Sequence, residues 1–599
     1  MSTYLALTIG PVYQTISQAR KTRELWAGSY IFSVLARELI KAFQQHQIGD
    51  LISPKVPLDK AEIRNGAGIF PDRCYFKIGQ QAANYPIKGA INDALDQVGN
   101  LIWGKKNEGE KLKPFFRIYA AEFTLNDQNH SVIQKLNDML DALELQPLVP
   151  TGERNLMDSL EENIHNLYAD SIFESTEKKQ VQIAEETDQP NSREGQSIAF
   201  KSVFIRFDHG QQRRLPSILE LATRELRGVK VMVKDKEEKE KEKGYDDIIT
   251  EPTNDAILLY QQMRRTVSRS REEKLILTRV EAEKQEAAIA QWKSSKEKVF
   301  KFRHKYICFV KADGDSVGKT IGAIGNNMVS LTKFSSLLAS FAQEAVNRIV
   351  EYDGLPIYAG GDDLFFLAPI QNNRGQHIFD LIQGIDNLFP SFKLQGIGKA
   401  VNSKFDLVPT LSYGISISYY KYPMFESMEE VNSLLFQKAK ELRGKNAVAF
   451  RVLKHSGQAF GSTIRKKSPI TNTEPEEDIA FQGNAPNSFA LVTEIINLAM
   501  IEEGSFLTSV MHKLNALQPL LSSAIKNNQT SVFFKNHFNE PVHTETSATN
   551  YLNSVRELCE ALWAEEQTNN PELADINQVM QQVYAILRLI QFLNQEDHD

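Results

Sequence analysis

The sequence contains little cysteine: three residues among 599, at Cys74, Cys308 and Cys559. Their wide spacing excludes a disulfide framework and a cysteine-rich zinc site, and it is typical of proteins in a reducing cytoplasm. Long apolar runs are also missing, so we expect no membrane span and no membrane partner. The first predicted strand begins at Thr3, which predicts that no leader peptide precedes it. We therefore expect a cytoplasmic protein.

An excess of positive charge is absent as well. The chain has 69 lysines and arginines against 76 aspartates and glutamates, which gives a formal net charge of −7. This balance excludes a nucleic-acid-binding protein that relies on a globally basic surface. Any contact with RNA is therefore expected to be local or to depend on partner proteins. The length predicts several domains rather than one.

The most informative segment is 355–369, with the sequence LPIYAGGDDLFFLAP. Two apolar strands flank the bend Gly360-Gly361-Asp362-Asp363, where the glycines give the backbone the freedom that a tight hairpin requires. Two adjacent carboxylates repel each other. Their presence in the bend therefore predicts a divalent cation that neutralises them.

A second acidic pair, Asp313 and Asp315, follows the predicted strand His304–Lys311. A helix over Phe334–Tyr352 then leads to the hairpin, and strand, helix and hairpin form the first half of a ferredoxin-like βαββαβ unit. In that topology the end of the first strand lies beside the bend, so we expect all four carboxylates to converge. Such a group suits two Mg²⁺ or Mn²⁺ ions, which can orient a triphosphate and activate a hydroxyl. A solvated acidic turn is the alternative for either pair alone.

The segment Gly314–Thr320 is similar to a phosphate-binding P-loop but does not match one. Its sequence GDSVGKT is one residue short of G-x-x-x-x-G-K-[ST] and contains an acid. We therefore reject a P-loop at this position, while the loop amides and Lys319 stay within the group of possible phosphate contacts.

Nucleotide-binding candidates surround the four aspartates. The predicted strand Pro409–Ser418 contains small residues that permit the close approach of a ligand. A helix over Met428–Leu442 ends near two lysines that are well placed for a triphosphate, although exposed lysines are common in polar loops. The candidates are Gly314, Ser316, Gly318, Gly360, Gly361, Ser412, Gly414, Lys440 and Lys445.

The N-terminal region repeats the same order of elements without the acidic pair. Its bend carries only Asp72, so we expect a second palm-like domain that has no metal site. The repeat is one of pattern and not of sequence. The predicted elements are a strand at Thr3–Ile9, a long helix at Val12–Gln47, a hairpin within Gly66–Phe76, a helix at Ile87–Trp103, a strand at Phe115–Phe123 and a helix at His130–Leu143.

The rest of the chain contains no catalytic motif. Between the repeats we predict mixed and helical structure with a mobile charged loop at Lys234–Lys243. A basic helix face there (Arg264, Arg265, Arg269 and Arg271) fits solvent better than RNA. The fold class is therefore α+β and multidomain, with two ferredoxin-like palm domains and helical domains. The predicted domains are 1–147 (degenerate palm), 148–301 (mixed and helical), 302–460 (palm with the GGDD site) and 461–599 (helical).

With these motifs in view, the chain resembles the large polymerase/cyclase subunits of type III-B (Cmr) CRISPR–Cas effector complexes. The resemblance extends over nearly the whole length. It is carried by Ile9–Gln14 and Ala19–Ser29 in the first repeat, by Asp313-Gly-Asp315 and the Gly-Gly-Asp-Asp bend in the second, and by Leu411–Ile415, Lys421–Pro423, Lys445-Asn446 and His455–Gly457.

The resemblance implies an antiviral nucleotidyltransferase that joins ATP into 3′–5′ cyclic oligoadenylates, releasing pyrophosphate, when its complex binds target RNA. It implies a catalytic role for Asp313, Asp362 and Asp363, two divalent ions held by these residues with Asp315 beside them, and phosphate contacts at Lys440 and Lys445 as in GGDEF-type diguanylate cyclases. The implied partners are other Cmr-type subunits, the guide CRISPR RNA and target RNA, contacted largely through the complex.

Two features depart from the family pattern. The only His-Asp pair is His598-Asp599 and the first palm-like domain begins at Thr3, so we expect no HD-type nuclease activity. The region Leu148–Lys301 contains no cysteine, so we expect no zinc site between the palms.

Three alternatives stay open. The product is either a cyclic oligoadenylate or a conjugate of AMP with an acceptor such as S-adenosylmethionine. The chain is alternatively a catalytically idle scaffold that anchors the guide RNA. A free-standing diguanylate cyclase is disfavoured, because Gly-Gly-Asp-Asp-Leu replaces the usual Gly-Gly-Asp/Glu-Glu-Phe.

Overall fold

The computed structural model of the chain describes most of the N-terminal region, the centre and the C-terminal region. The described ranges are 2–57, 66–79, 81–104, 106–125, 131–145, 216–234, 239–245, 285–389, 409–466, 487–500, 504–543 and 545–595, with short pieces between 156 and 248 and at 468–469 and 481–482. The four basic residues Arg264, Arg265, Arg269 and Arg271 lie outside these ranges.

The N-terminal region forms a four-stranded antiparallel sheet with the strand order β2-β3-β1-β4, which is the order of a ferredoxin-like βαββαβ unit. The long α2 is buried on all sides from Glu24 to Arg37 and contributes Trp26, Ile31 and Leu35 to the core. The elements are β1 (Ser2–Gly10), α1 (Val12–Ile16), α2 (Thr22–Gln45), β2 (Asp50–Ser53), β3 (Arg73–Ile78), α3 (Ile87–Trp103), β4 (Arg117–Leu125) and α4 (Val132–Glu144).

Two sequence-based predictions for this region are wrong. The helix predicted over Val12–Gln47 is interrupted after α1, because the carboxylate of Glu24 accepts a hydrogen bond from the backbone N–H of Arg20 (2.8 Å) and starts a second helix. The hairpin predicted within Gly66–Phe76 is instead formed by β2 and β3, which are joined by a long connection.

The part between the two repeats contains a charged hairpin where we predicted a mobile loop. Strands β5 (Lys230–Lys234) and β6 (Glu240–Gly244) pair in antiparallel register. Val231 and Val233 are buried beside Trp292, which leaves the charged side chains on the solvent face of the hairpin. The short α5 (Ile218–Ala222) begins after Ser217, which forms a capping box with Glu220.

The central region forms a six-stranded sheet with the order β8-β9-β7-β10-β11-β12, whose first four strands follow the arrangement of the N-terminal sheet. This confirms the predicted fold class of two ferredoxin-like units. The elements are β7 (Tyr306–Asp315), α6 (Val317–Ile324), α7 (Met328–Glu351), β8 (Leu355–Gly360), β9 (Asp363–Pro369), α8 (Ile378–Leu388), β10 (Thr410–Tyr419), α9 (Met424–Leu434) with a π-helical turn at Leu435–Ala439, β11 (Ala447–Leu453) and β12 (Ala459–Arg465).

Strand β7 is longer than predicted, and its extension matters for the site. It pairs with β9 as far as Ala312 but continues beside β10 as far as Asp315. Asp313 and Asp315 are therefore strand residues and not loop residues. Strand β12 was not predicted; it pairs antiparallel with β11 and adds an edge to the sheet.

The C-terminal region is helical, as predicted, and packs against the central sheet. Phe592 contacts the rings of Phe302 and Tyr306 at the start of β7 with ring centroids 5.8 and 4.8 Å apart. Within the described ranges, no helix combines the length and apolar composition of a membrane span. The helices are α10 (Ser488–Ala499), α11 (Gly504–Ala516), α12 (Gln518–Lys526), α13 (Thr530–His537), α14 (Thr546–Asn569) and α15 (Ile576–Asn594).

The two sheets contact each other at the hairpin that carries the acidic bend. Gly68 forms a β-bridge with Tyr358 on the edge strand β8, and its carbonyl accepts a hydrogen bond from the N–H of Ala359 (2.9 Å). The hydroxyl of Ser29 on α2 donates to the carbonyl of Ile357 (3.2 Å). The N-terminal unit therefore holds the hairpin one residue before the bend begins.

A buried ionic cluster joins the middle, central and C-terminal parts. The Glu225 carboxylate lies 2.9 Å from Nε of Arg303 and 2.7 Å from Nε2 of His304, while Arg303 also donates to the carbonyl of Leu593 (2.6 Å). Burial alone would raise the pKa of Glu225, but the hydrogen bond from His304 and the charge of Arg303 lower it to about 2.

We expect this cluster to make stability depend on pH. Because the folded-state pKa of Glu225 is lowered, its contribution is present above about pH 4.5 and is lost as the pH falls towards 2, up to about 3 kcal/mol. Glu225→Gln should therefore flatten the fall of the apparent melting temperature between pH 5 and pH 3, measured by scanning fluorimetry. The control is Glu242→Gln, which alters an exposed pair with Lys230 (3.4 Å). Equal pH profiles for the two variants would contradict the assignment.

Candidate active site

The fold brings the two acidic pairs to one corner of the central sheet. Strands β7 and β9 are neighbours, and Ala312 lies opposite Leu364 in their last pair. Asp313 follows this pair on one strand, and Asp363 precedes it on the other. The bend between β8 and β9 is tight because Gly361 adopts a positive φ of 76°, which residues with a side chain rarely tolerate. The sheet opens at this corner, since β7 continues beside β10 alone.

Asp313 is held by Lys440, which comes from the end of the π-helical turn. The ammonium of Lys440 forms an ion pair with the Asp313 carboxylate and donates to the carbonyl of Gly314 (2.9 Å). It also lies 3.9 Å from Oδ1 of Asp315. Burial, together with the nearby ammonium groups of Lys445 and Lys311, lowers the pKa of Lys440 to about 8. Three lysines therefore surround the acidic corner.

Asp315 is the most enclosed of the four aspartates. Its Oδ2 accepts hydrogen bonds from Ser412 (2.8 Å), from Thr410 (2.9 Å) and from the backbone N–H of Asn446 (3.1 Å). Burial raises the pKa of Asp315, although the two hydroxyl donors oppose that shift. These contacts join β7 to β10 and to the loop before β11, so Asp315 also has a structural role.

Asp362 lies in the bend and accepts a hydrogen bond from the backbone of Gly314. A side chain at Gly314 would collide with the carboxylate of Asp362 and with Val317, so the close approach of β7 to the bend requires glycine there. Burial, together with the nearby charges of Asp363 and Asp315, raises the pKa of Asp362 to about 6.

Asp363 lines a cavity of about 210 Å³ between the two sheets. Burial raises its pKa, and the nearby ammonium of Lys311 opposes the shift. Asp72 of the N-terminal unit lines the same cavity, and its pKa is raised to about 6 by burial, with Glu144 and Asp363 adding to the effect and Arg73 opposing it. The other lining residues are Val12, Tyr13, Ile16, Ser29, Phe32, Phe70, Lys311, Tyr358, Phe365, Met428, Val431 and Asn432.

The four aspartates are ligands of the type that a hard divalent ion binds, but their side chains are not arranged around one position. Oδ1 of Asp315 and Oδ1 of Asp363 are buried without a hydrogen-bond partner, and oxygen ligands are those that Mg²⁺ and Mn²⁺ prefer. However, no group of three His, Cys, Asp or Glu side chains in the described ranges is arranged to hold a metal. The predicted convergence is therefore incomplete, because Lys440 pairs with Asp313 and the donors of β10 hold Asp315.

The segment after β7 is a strand-to-helix turn and not a P-loop. Ser316 adopts a positive φ of 60° and precedes α6, and its carbonyl accepts from the backbone N–H of Thr320 (2.9 Å). A side chain at Gly318 would meet open space, and its carbonyl accepts from Gln134 of the N-terminal unit (3.3 Å). Gly360 leaves room for the ring of Tyr358, which a side chain there would strike.

Two predicted ligand contacts have other partners in the structure. Ser412 donates to Asp315 rather than facing open space. A side chain at Gly414 would collide with the carbonyl of Val431 and the N–H of Leu435, so this glycine allows α9 to pack on β10. We predicted both as residues that admit a ligand. A sequence does not distinguish such close approach from helix packing.

Lys445 lies in a loop of unusual backbone conformation. Gly444, Lys445 and Asn446 all have positive φ (77°, 52° and 53°), and Asn446 uses its N–H to bind Asp315. The fully buried Arg465 holds this loop: its guanidinium donates to the carbonyls of Arg443 (2.6 Å) and Lys445 (3.4 Å) and contacts Asn569 of α14. Non-glycine residues with positive φ persist only where their surroundings impose it.

Several residues around the site were not predicted from the sequence. Lys311, Thr410 and Asn446 lie in ordinary strand or loop segments, and only their pairing across the sheet brings them to the acidic corner. Phe436 was also missed, although its spacing of four residues from Lys440 was a usable signal, because such a pair shares one helix face.

Comparisons with known proteins agree with this geometry. Residues 306–449 match the family model described as Cas10/Cmr2, second palm domain, and residues 4–100 match the model of the N-terminal domain of the CRISPR-associated protein Cmr2. Both models describe domains of the Cas10/Cmr2 family, and together they cover less than half of the chain. Both ferredoxin-like units of the structure contain a matched segment.

The individual proteins to which the chain is similar are distant in sequence. The CRISPR system Cmr subunit Cmr2 of Pyrococcus furiosus is 29% identical over 187 residues, which cover 27% of this chain and only 20% of the relative. A Cmr-beta complex bound to cognate target RNA contains a chain with a TM-score of 0.52 and 11% identity, covering 99% of this chain and 83% of that one. A chain of the apo Cmr-beta structure has a TM-score of 0.47 and 12% identity, covering 86% of this chain and 75% of that one. At such identities the structural matches show the fold alone.

We expect Arg465 to keep the Gly444–Asn446 loop in place. Arg465→Met would remove two hydrogen bonds to partly buried carbonyls, each of which stabilises by about 0.5–1.5 kcal/mol. Amide hydrogen exchange in residues 442–447 should accelerate by at least about tenfold, measured by mass spectrometry. Arg588→Met is the control, because that guanidinium lies over the ring of Phe460 (4.3 Å). Unchanged exchange in the loop of Arg465→Met would show that the arginine does not hold it.

Proposed function

We propose that this chain is the nucleotidyltransferase of an RNA-guided type III-B complex, which uses ATP to make a second messenger when target RNA is bound. The observation that carries the proposal is the acidic corner: Asp313, Asp362 and Asp363 lie at neighbouring strand ends, with Lys440 against Asp313 and a cavity beside Asp363. This combination supplies oxygen ligands for cations and positive charge for a triphosphate within one open edge of a sheet.

The carboxylates of Asp313, Asp362 and Asp363, with Asp315 beside them, would hold Mg²⁺ or Mn²⁺. Such ions, when bound, offset the charge of the triphosphate and lower the pKa of an attacking hydroxyl. Three raised carboxylate pKa values are consistent with this role, because burial without a cation favours the protonated form of a carboxyl group.

The lysines would bind and orient the triphosphate. In nucleotidyl transfer a 3′-oxygen bonds to the α-phosphorus, the bond to the β-phosphate breaks, and pyrophosphate leaves. Lys440 lies where it can pair with phosphate oxygens after releasing Asp313, and Lys311 and Lys445 lie close enough to influence its pKa. The cavity beside Asp363 has the mainly apolar lining that encloses a small ligand away from water.

The product and partners that we propose follow from the family resemblance. The product is a cyclic oligoadenylate or an AMP conjugate, for which S-adenosylmethionine is the named acceptor. The partners are other Cmr-type subunits, guide RNA and target RNA. Supporting this, a chain with the same fold occurs in the Cmr-beta complex bound to cognate target RNA.

A catalytically idle scaffold is the second candidate function. One observation favours it: Lys440 occupies the position beside Asp313 that a cation would need, and no metal-holding group is formed in the described residues. Under this alternative the ion pair is a permanent structural link between β7 and the helix after β10.

The two functions differ in the predicted effect of Asp362→Ala combined with Asp363→Ala. If the corner is catalytic, adenylate products formed from ATP and Mg²⁺ or Mn²⁺ in the presence of target RNA should fall at least about 100-fold, because the cation ligands are lost. The control is Glu429→Ala with Glu430→Ala, another adjacent acidic pair in the same domain. Products are identified by mass spectrometry on the assembled complex, with and without S-adenosylmethionine.

Assembly and RNA binding are measured on the same samples. The nucleotidyltransferase proposal requires both to survive in the double variant. Failure of assembly would show that the hairpin has a structural role. An intact wild-type complex that binds target RNA and makes no product under any condition would favour the scaffold.

A further inference from the structure

Phe436 is a large apolar side chain that the fold leaves at the surface. It lies in the π-helical turn Leu435–Ala439, where Leu435 and Ala439 are fully buried, whereas 45% of Phe436 is exposed. Turns of this kind widen a helix locally and occur frequently at functional sites. Here the turn carries the chain from α9 to Lys440.

Two lysines of the acidic corner lie over the ring of Phe436. Nζ of Lys311 is 5.2 Å from the ring centroid and Nζ of Lys440 is 5.8 Å from it. Each ammonium has a second contact, Lys311 with Oδ1 of Asn432 (3.1 Å) and Lys440 with Asp313. The ring is therefore part of the corner and forms an apolar surface next to its cationic groups.

This arrangement differs from that of an ordinary exposed phenylalanine. Phe425 is exposed to the same degree (47%) and starts the same helix, eleven residues earlier, which corresponds to about 16 Å along a helix axis. Phe436 instead combines an exposed aromatic face, adjacent cations and adjacent carboxylates. A nucleoside triphosphate has the complementary parts, a flat aromatic base and a polyanionic chain.

We propose that Phe436 stacks on the base of the bound nucleotide, while Lys440 and Lys311 turn from the ring towards its phosphates. This inference rests on the nucleotide site proposed above and adds the residue that recognises the base. Stacking on an aromatic side chain tolerates any base, so Phe436 would supply affinity for nucleotides over inorganic polyphosphate. Its loss corresponds to a roughly 5- to 150-fold change in Kd.

Two ligands separate base stacking from phosphate binding. One is α,β-methylene-ATP, which carries a base and resists transfer, and the other is inorganic tripolyphosphate, which carries no base. Their Kd values are measured by calorimetry with Mg²⁺ for the full chain and for Phe436→Ala, Phe436→Tyr and Phe425→Ala. Phe436 is exposed, so its replacement should leave the fold intact, which circular dichroism verifies.

We expect Phe436→Ala to raise the Kd of the ATP analogue about tenfold and to leave the Kd of tripolyphosphate unchanged, while Phe436→Tyr stays close to wild type. Phe425→Ala should change the Kd of neither ligand. An equal loss of affinity for both ligands would overturn the inference, because the ring would then only position the lysines. An unchanged Kd for the analogue in Phe436→Ala would overturn it as well. Failure of the wild-type chain to bind either ligand would instead remove the proposed nucleotide site, and the inference with it.

Discussion

The burial of carboxylates is the constraint on which the acidic corner depends. Asp315, Asp362 and Asp363 are crowded at the edge of the central sheet, and burial raises the pKa of each. The protein offsets part of this cost with hydroxyl and amide donors on Asp315 and with Lys440 on Asp313. Oδ1 of Asp315 and Oδ1 of Asp363 have no hydrogen-bond partner. A bound cation would balance the negative charge of these oxygens.

The surrounding structure holds the elements of the corner in place from both sides. The N-terminal unit fixes the hairpin through the bridge between Gly68 and Tyr358, two residues before the bend. On the other side, Arg465 binds the carbonyls of the loop that carries Lys445, and it also contacts Asn569 of the C-terminal helices. The degenerate first unit and the helical region thus have a physical connection to the site, although neither carries the acidic motif.

The sequence was sufficient where the signal is local. Gly360-Gly361-Asp362-Asp363 sits in a short turn between apolar strands, so both the hairpin and its acidic bend could be predicted. Long-range features could not be predicted in this way. The role of Gly414 depends on a helix packed against it, and Arg465 acts on a loop some twenty residues before it. The break before α2 depends on one hydrogen bond between Glu24 and the backbone of Arg20, which has no sequence signature.

The most direct test of the cation claim is a Mn²⁺ titration of the assembled complex with α,β-methylene-ATP, followed by electron paramagnetic resonance. The account predicts that protein-bound Mn²⁺ appears with the nucleotide and that Asp363→Asn reduces it, because a carboxylate ligand is lost. It also predicts that binding persists in the control Glu430→Gln. Nucleotide binding without any bound Mn²⁺, or equal Mn²⁺ in the two variants, would contradict the central claim that these aspartates hold a divalent ion.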